Sequence, residues 1–101
     1  MCNDSSVRRV HFIGVGGVGM SGIARVAADS GMLVSGSDMK SSRYTDQLVE
    51  AGVEIHIGHS ADNVPQDCDV VVVSTAIPES NPELACARER GIEVWQRAKM
   101  L

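Results

Sequence analysis

The sequence predicts a three-layer α/β domain built around a five-stranded parallel sheet, and three observations predict it. Short apolar runs of four to six residues alternate with stretches of helical spacing, the order that parallel strands joined by crossover helices require. One run, Val70 to Val73, is four valines without polar alternation, as a strand covered on both faces demands. Five glycines, Gly14, Gly16, Gly17, Gly19 and Gly22, fall within nine residues between the first apolar run and the first helical stretch. A tight turn needs one or two, so so much bare backbone suggests that something comes close to the chain.

The first strand is Val10 to Ile13. From Met20, the apolar positions Ile23, Ala24, Ala27 and Ala28 fall at helical spacing, and Gly31 tolerates the left-handed cap that ends the helix. Leu33 to Ser37 reads as the second strand, followed by a helix from about Arg43 with Tyr44, Leu48 and Ala51 on one face and Gly52 behind it. Val53 to Ile57 is the third strand, and the valine run is the fourth and should be central. The last helix is the best punctuated, with Asn81 as N-cap, Pro82 at its first position, Arg88 and Arg90 late, and Gly91 after it. Ile92 to Trp95 makes a fifth strand. Right-handed crossovers leave few arrangements, and the expected order is 3-2-1-4-5, a Rossmann-like fold.

A chain of 101 residues makes one domain with one core. Nine basic against thirteen acidic residues give a net charge of −4, which lacks the basic excess of a nucleic-acid binder. Cys2, Cys68 and Cys86 are odd in number and far apart, with no CxxC pair and no histidine at ligand spacing, which argues for a reducing compartment without disulfide or zinc. No apolar run is long enough for a signal peptide or a membrane span, so the chain reads as soluble and cytoplasmic.

Gly14, Gly16 and Gly19 spell GxGxxG at the seam between strand one and helix one. In that frame Gly14 permits the turn, Gly16 lets a diphosphate approach the backbone, and Gly19 lets helix and strand pack closely. The helix then aims free N–H groups and the positive end of its dipole at the phosphates. Asp38, nineteen residues after Gly19 at the end of strand two, can accept ribose hydroxyls; an acid there also caps turns. A side chain at Gly16 or Gly17 is expected to take the phosphate's place and leave the fold intact. Ser74, Thr75 and Ala76 follow strand four on the edge where open α/β sheets bind ligands, and their polar groups suit a ligand or the loop backbone equally. His59, on the same edge, suits stacking on a base or a solvated loop; His11 and His56 read as structural. There is no GxxxxGK[ST] and no nucleophile with its base, so the chain binds something phosphorylated without visible machinery to change it.

The segments HFIGVGGVGMSGIA, VSGSD, IGHSADNV, VVVVSTAIPESNPEL and VWQRAKML resemble the N-terminal domain of the Mur ligases of peptidoglycan synthesis, and among them the UDP-N-acetylmuramate–L-alanine ligases. The resemblance runs from Val10 onward. It implies an N-terminal tail over 1–9, a Rossmann-like domain over 10–96 that holds the UDP of UDP-N-acetylmuramate, and at 97–101 the start of a linker to a central ATP-binding domain. Carried over residue by residue, Gly16, Gly17, Val18, Gly19, Met20 and Ser21 would line the diphosphate, with Gly14 in the same substrate-binding loop. Ser37 and Asp38 would face the ribose, and His59, Ser74, Thr75 and Ala76 would lie near the uridine and sugar. ATP and magnesium belong to the whole enzyme, with no cofactor and no catalytic residue expected in this piece of it. Its partners would be UDP-N-acetylmuramate and the central and C-terminal domains, with no nucleic acid and no membrane. Two other functions fit the residues alone: an NAD-binding regulatory module, and an interaction domain that keeps the fold without a ligand.

Overall fold

The computed structural model describes residues 7–100. Strands β1 (Arg9–Ile13), β2 (Leu33–Asp38), β3 (Glu54–Ile57), β4 (Val70–Val73) and β5 (Glu93–Gln96) form one parallel sheet in the expected order β3-β2-β1-β4-β5. The helices are α1 (Val18–Asp29), α2 (Arg43–Glu50), α3 (Pro82–Arg90) and the short α4 (Arg97–Met100). β1 is the middle strand. β4 lies beside it, between β1 and β5, interior to the sheet as expected and with all four valines buried.

Successive side chains of a strand point to opposite faces, and the core divides accordingly. Val10, Phe12, Val70 and Val72 pack with Met20, Ala24 and Ala27 of α1 and Leu48 of α2. Ile13, Val71 and Val73 pack on the other face with Leu84 and Ala87 of α3. Cys68 and Cys86 are free thiols, half-buried against this second cluster, and burial pushes the Cys68 thiol up to about 11.

The helix ends follow their local chemistry. The Asn81 side chain accepts from the N–H groups of Glu83 at 2.9 Å and Leu84 at 3.3 Å, Pro82 opens α3, and Gly91 closes it at φ 73°. α2 begins with a capping box, Ser42 N donating to Thr45 Oγ1 at 2.8 Å while Ser42 Oγ accepts from Thr45 N. That box turns the helix so that Thr45 and Leu48 face the core, whereas Tyr44, expected on the buried face, is half-buried beneath the Arg43 guanidinium.

The ordered domain extends past both expected boundaries. Val7 packs on the core, and the N–H groups of Arg8 and Arg9 donate to Asp69 Oδ2 at 2.8 and 3.0 Å, so 7–9 are not tail. Residues 1–6, with Cys2, lie outside the described residues. Residues 97–100, expected to open a linker, form α4 and contact α1.

Close packing of the glycine loop on the sheet depends on a residue outside the motif. A Cβ on Gly36 of β2 would lie 2.7 Å from Val15 Cβ, and both residues are buried. Gly36→Ala is expected to destabilise the fold by about 1–3 kcal/mol, the usual cost of overpacking a filled core. Urea unfolding of the variant checks it, and an unchanged midpoint would contradict the packing described.

Candidate functional site

The C-terminal edge of the sheet gathers the loops that follow β1, β2, β3 and β4. Gly14, at φ 82°, makes the turn out of β1 that only glycine adopts freely. The N–H groups of Gly14 and Val15 then donate to Ser37 O at 2.8 and 2.9 Å, which ties the loop to the end of β2. Gly17 is the N-cap of α1 and has no side chain to cap with. The N–H groups of Val18, Gly19 and Met20 accordingly have no acceptor among the described residues, and the first turn carries no acid. They form the positive, donor-rich end of a twelve-residue helix.

Arg97 adds a full charge to that end. Its guanidinium reaches back from α4 to the point a Cβ of Gly19 would occupy, and it makes no ion pair among the described residues. Gly19 is exposed and faces this side chain instead of the sheet, so the packing role expected of it falls to Gly36. A guanidinium beside a helix N-terminus is repelled by the dipole, and an anion between them would satisfy both. The sequence reading missed Arg97 because only the turn after β5 brings it within reach of a loop nearly eighty residues earlier in the chain.

Asp38 bridges two backbone segments. Its Oδ2 accepts from Gly16 N at 2.8 Å and its Oδ1 from Met39 N at 2.7 Å, so it does cap the turn after β2. Each carboxylate oxygen has a second lone pair, which leaves room for a ligand hydroxyl. Gly16 is bare for the sake of this contact: a Cβ there would lie 2.8 Å from Asp38 Oδ2 and 3.1 Å from Thr45 Cγ2. The expectation that a side chain at Gly16 leaves the fold intact is therefore corrected. At Gly17 the nearest atom to an added Cβ is Gly14 O at 3.6 Å, an ordinary contact.

The other expected site residues divide by side-chain direction. Val18 is 72 % exposed, whereas Met20 packs in the core and Ser21 Oγ is buried and donates to Val18 O at 3.1 Å. Of these two residues Met20 alone offers a free backbone N–H to a ligand, because Ser21 N donates to Gly17 O at 2.8 Å. Ser74 is half-buried and Thr75 and Ala76 are exposed on the loop after β4, whose Ile77 packs beside Gly14. Ser37 does not face the edge: it is fully buried, with its hydroxyl on Glu83 and His59.

Those contacts belong to a polar cluster that sequence reading did not find. Glu83, in the first turn of α3, is fully buried. Its carboxylate lies 2.6 Å from His11 Nε2 and 2.6 Å from Ser37 Oγ, and accepts from Ser60 N at 3.0 Å and Asn63 Nδ2 at 2.8 Å. His11 Nδ1 in turn meets Ser35 Oγ at 2.8 Å. Burial alone would push the Glu83 carboxyl up, but the donors of His11, Ser37, Asn63 and Ser60 outweigh it and bring it down to about 2. A signal did exist: His11, Ser35 and Ser37 interrupt apolar strands on one face, since His11 is in register with Ser35. Glu83, the partner that His11 and Ser37 share, sits on a helix more than forty residues from either and leaves no mark in that pattern.

The architecture is that of the Rossmann-like α/β domains, with a glycine loop opening onto a helix N-terminus at the ligand-binding edge. The model of the Mur ligase family, catalytic domain, matches residues 9–101, and the chain belongs to that family. It is 58% identical over 93 residues to a UDP-N-acetylmuramate–L-alanine ligase of Rubrobacter xylanophilus, covering 92% of this chain and 21% of the relative. Its identity to the ligase of the same description from Symbiobacterium thermophilum is 56% over 95 residues, covering 93% of this chain and 20% of that one. The crystal structure of UDP-N-acetylmuramate-alanine ligase from Thermotoga maritima superposes with a TM-score of 0.85 at 35% identity, over 90% of this chain and 21% of that one. The chain thus spans about a fifth of the length of these relatives. Among the described residues no helix is long and apolar enough to cross a membrane, and no three His, Cys, Asp or Glu side chains converge as a metal site.

Two measurements check this geometry. Gly16→Val is expected to lose about 1–3 kcal/mol of stability by overpacking against Asp38 and Thr45, while Gly17→Val, which meets no close contact, loses less, about 1 kcal/mol or below for the poorer N-cap; equal losses in urea unfolding would contradict the assignment. Because the Glu83 carboxyl sits near 2 instead of its ordinary 4.5, the stability it contributes is complete above about pH 4.5 and drains away as the pH falls toward 2. Glu83→Gln should be less stable than the parent at neutral pH and should lose less on acidification across that window. A variant whose stability falls as steeply as the parent's would remove Glu83 from the account.

Proposed function

We propose that this chain is the UDP-binding domain of a UDP-N-acetylmuramate–L-alanine ligase. The observation that carries the reading is the unsatisfied N-terminus of α1: three free N–H groups, an uncapped Gly17 and the Arg97 guanidinium converge where a diphosphate would sit. The descriptions of the relatives supply the rest of the ligand. In this reading the free N–H groups of Val18, Gly19 and Met20 and the Arg97 guanidinium hold the diphosphate, which the bare Gly16 and Gly17 let approach. Asp38 accepts ribose hydroxyls with its remaining lone pairs, and His59 and the Ser74 to Ala76 loop border the nucleoside and sugar. The sugar's lactyl carboxylate then projects toward the rest of the enzyme, together with which this domain forms the complete site.

In the whole ligase that carboxylate would receive a phosphoryl group from ATP, with ADP leaving, and the amine of L-alanine would then displace the phosphate to form the amide. Residues of this chain do not fit ATP in that role, because it has no GxxxxGK[ST] segment to cradle a triphosphate. Its own contribution is to bind and orient. The domain acts in the cytoplasm, where nucleotide sugars and ATP meet.

Calorimetric titration of the chain with UDP, UDP-N-acetylmuramate, NAD and ATP tests the reading. UDP and UDP-N-acetylmuramate should bind with affinities of the same order, because the contacts this domain offers lie at the UDP end, and both should bind more tightly than NAD or ATP. Gly17→Val should abolish binding while remaining folded, and Asp38→Ala should weaken it about tenfold, the worth of one charge-assisted hydrogen bond. Tighter binding of NAD than of UDP would make the domain an NAD-binding regulatory module, and binding of none of the four would make it an interaction domain.

A further inference from the structure

The buried carboxylate of Glu83 sets the direction of every hydrogen bond around it. Oε2 takes Ser60 N and Asn63 Nδ2, groups that can only donate. Oε1 lies 2.6 Å from Ser37 Oγ, a separation at which one of the two oxygens must carry the proton. The ionised carboxylate has none, so Ser37 donates. With its single hydrogen so engaged, Ser37 Oγ can only accept from His59 Nδ1 at 2.9 Å, and the proton in that bond belongs to the imidazole. Nδ1 also faces Glu83 Oε2 at 3.4 Å, a second acceptor that favours the same assignment.

The consequence falls on the opposite side of the ring. His59 Nε2 has no hydrogen-bond partner among the described residues, and it is not among the buried polar atoms that lack one. The side chain is 13% exposed, on the sheet edge that carries the glycine loop. A neutral imidazole with its hydrogen on Nδ1 presents a lone pair at Nε2.

We infer that Glu83 is a positioning residue of the nucleotide site: through Ser37 it holds His59 in the Nδ1–H tautomer, so that Nε2 accepts a hydrogen bond from the bound nucleoside. The inference rests on the reading of this edge as a UDP site. A nucleoside of that kind carries the donors an Nε2 lone pair can recognise, the ribose hydroxyls and the imide N–H of uracil, whereas ionised phosphate oxygens only accept. His59 therefore reads the nucleoside end of the ligand and leaves the diphosphate to α1 and Arg97. Glu83 touches no ligand and acts only by fixing which ring nitrogen is bare.

Nitrogen-15 NMR of the histidine side chains, on the 101-residue chain at a pH where His59 is neutral, reads the tautomer directly. The parent should show hydrogen on Nδ1 and a bare Nε2. Ser37→Ala removes the bridge, and Glu83→Gln puts an amide donor where only an acceptor fits; both should raise the share of the Nε2–H form. Saturating UDP should shift the parent's Nε2 resonance, and both variants should bind UDP about two- to tenfold more weakly, the worth of one neutral hydrogen bond. Circular dichroism checks their folding, and if Glu83→Gln does not fold, Ser37→Ala carries the comparison. A parent with its hydrogen on Nε2, or an Nε2 resonance unmoved by UDP that calorimetry shows to be bound, overturns the inference. Absence of any UDP binding overturns the nucleotide reading and the nucleoside contact with it, and the tautomer in the free chain then decides separately whether Glu83 orients the ring.

Discussion

A carboxylate sealed inside a small domain is the constraint around which the ligand edge is built. An isolated charge in the interior would cost several kcal/mol, so the chain has to bring donors to Glu83 from every direction. They come from β1 (His11), from β2 (Ser37), and from the segment after β3 (Ser60 and Asn63), while α3 contributes the carboxylate itself and the positive end of its dipole. Four separate stretches of chain are thereby pinned to one point beneath the C-terminal edge of the sheet. Apolar packing alone is forgiving about register and rotamer, but a carboxylate with four donors is satisfied in one arrangement only.

The same constraint separates what holds the edge together from what it offers to solvent. Ser37 and His11 look inward to Glu83, and Met20 and Ser21 look inward to the core or their own helix. What remains outward is mostly backbone, namely the uncapped first turn of α1, together with Arg97, Asp38 and one nitrogen of His59. Under the proposed function, a site made of backbone donors on a rigid frame needs little reorganisation to take a diphosphate. The glycines serve that arrangement in distinct ways. Gly14 makes the left-handed turn, Gly16 clears space for Asp38, and Gly36, outside the motif, lets Val15 settle on the sheet.

The proposed binding role also fits the way the polar groups of this domain are divided between inside and outside. Its buried carboxylate is surrounded by donors that hold shape, and its outward groups combine the free donors of α1 and Arg97 with the acceptors Asp38 and His59. The triphosphate cradle that a ligase requires has no segment here to build it. Membership of the Mur ligase family, with about a fifth of a relative's length spanned by the chain, accords with that division.

Periodicity and local chemistry were enough to read the strands, the helix caps and the sheet order, because each is decided by residues a few positions apart. The four valines of β4 need cover on both faces, Asn81-Pro82 starts a helix, and Gly91 stops one, whatever surrounds them. The glycine loop and Asp38 were legible for the same reason, as strand, loop and acid follow one another in sequence. Contacts across large separations were not. Glu83 stands out only once α3 lies against β1 and β2, and Ser37 read as a ligand contact until that packing turned it inward. Gly19 read as the packing glycine until the turn after β5 laid Arg97 across it. Tertiary structure alone decided these, because a buried polar group is defined by partners that hydrophobic spacing does not encode: the sequence shows which residue can donate or accept, and only the assembled layers show to what.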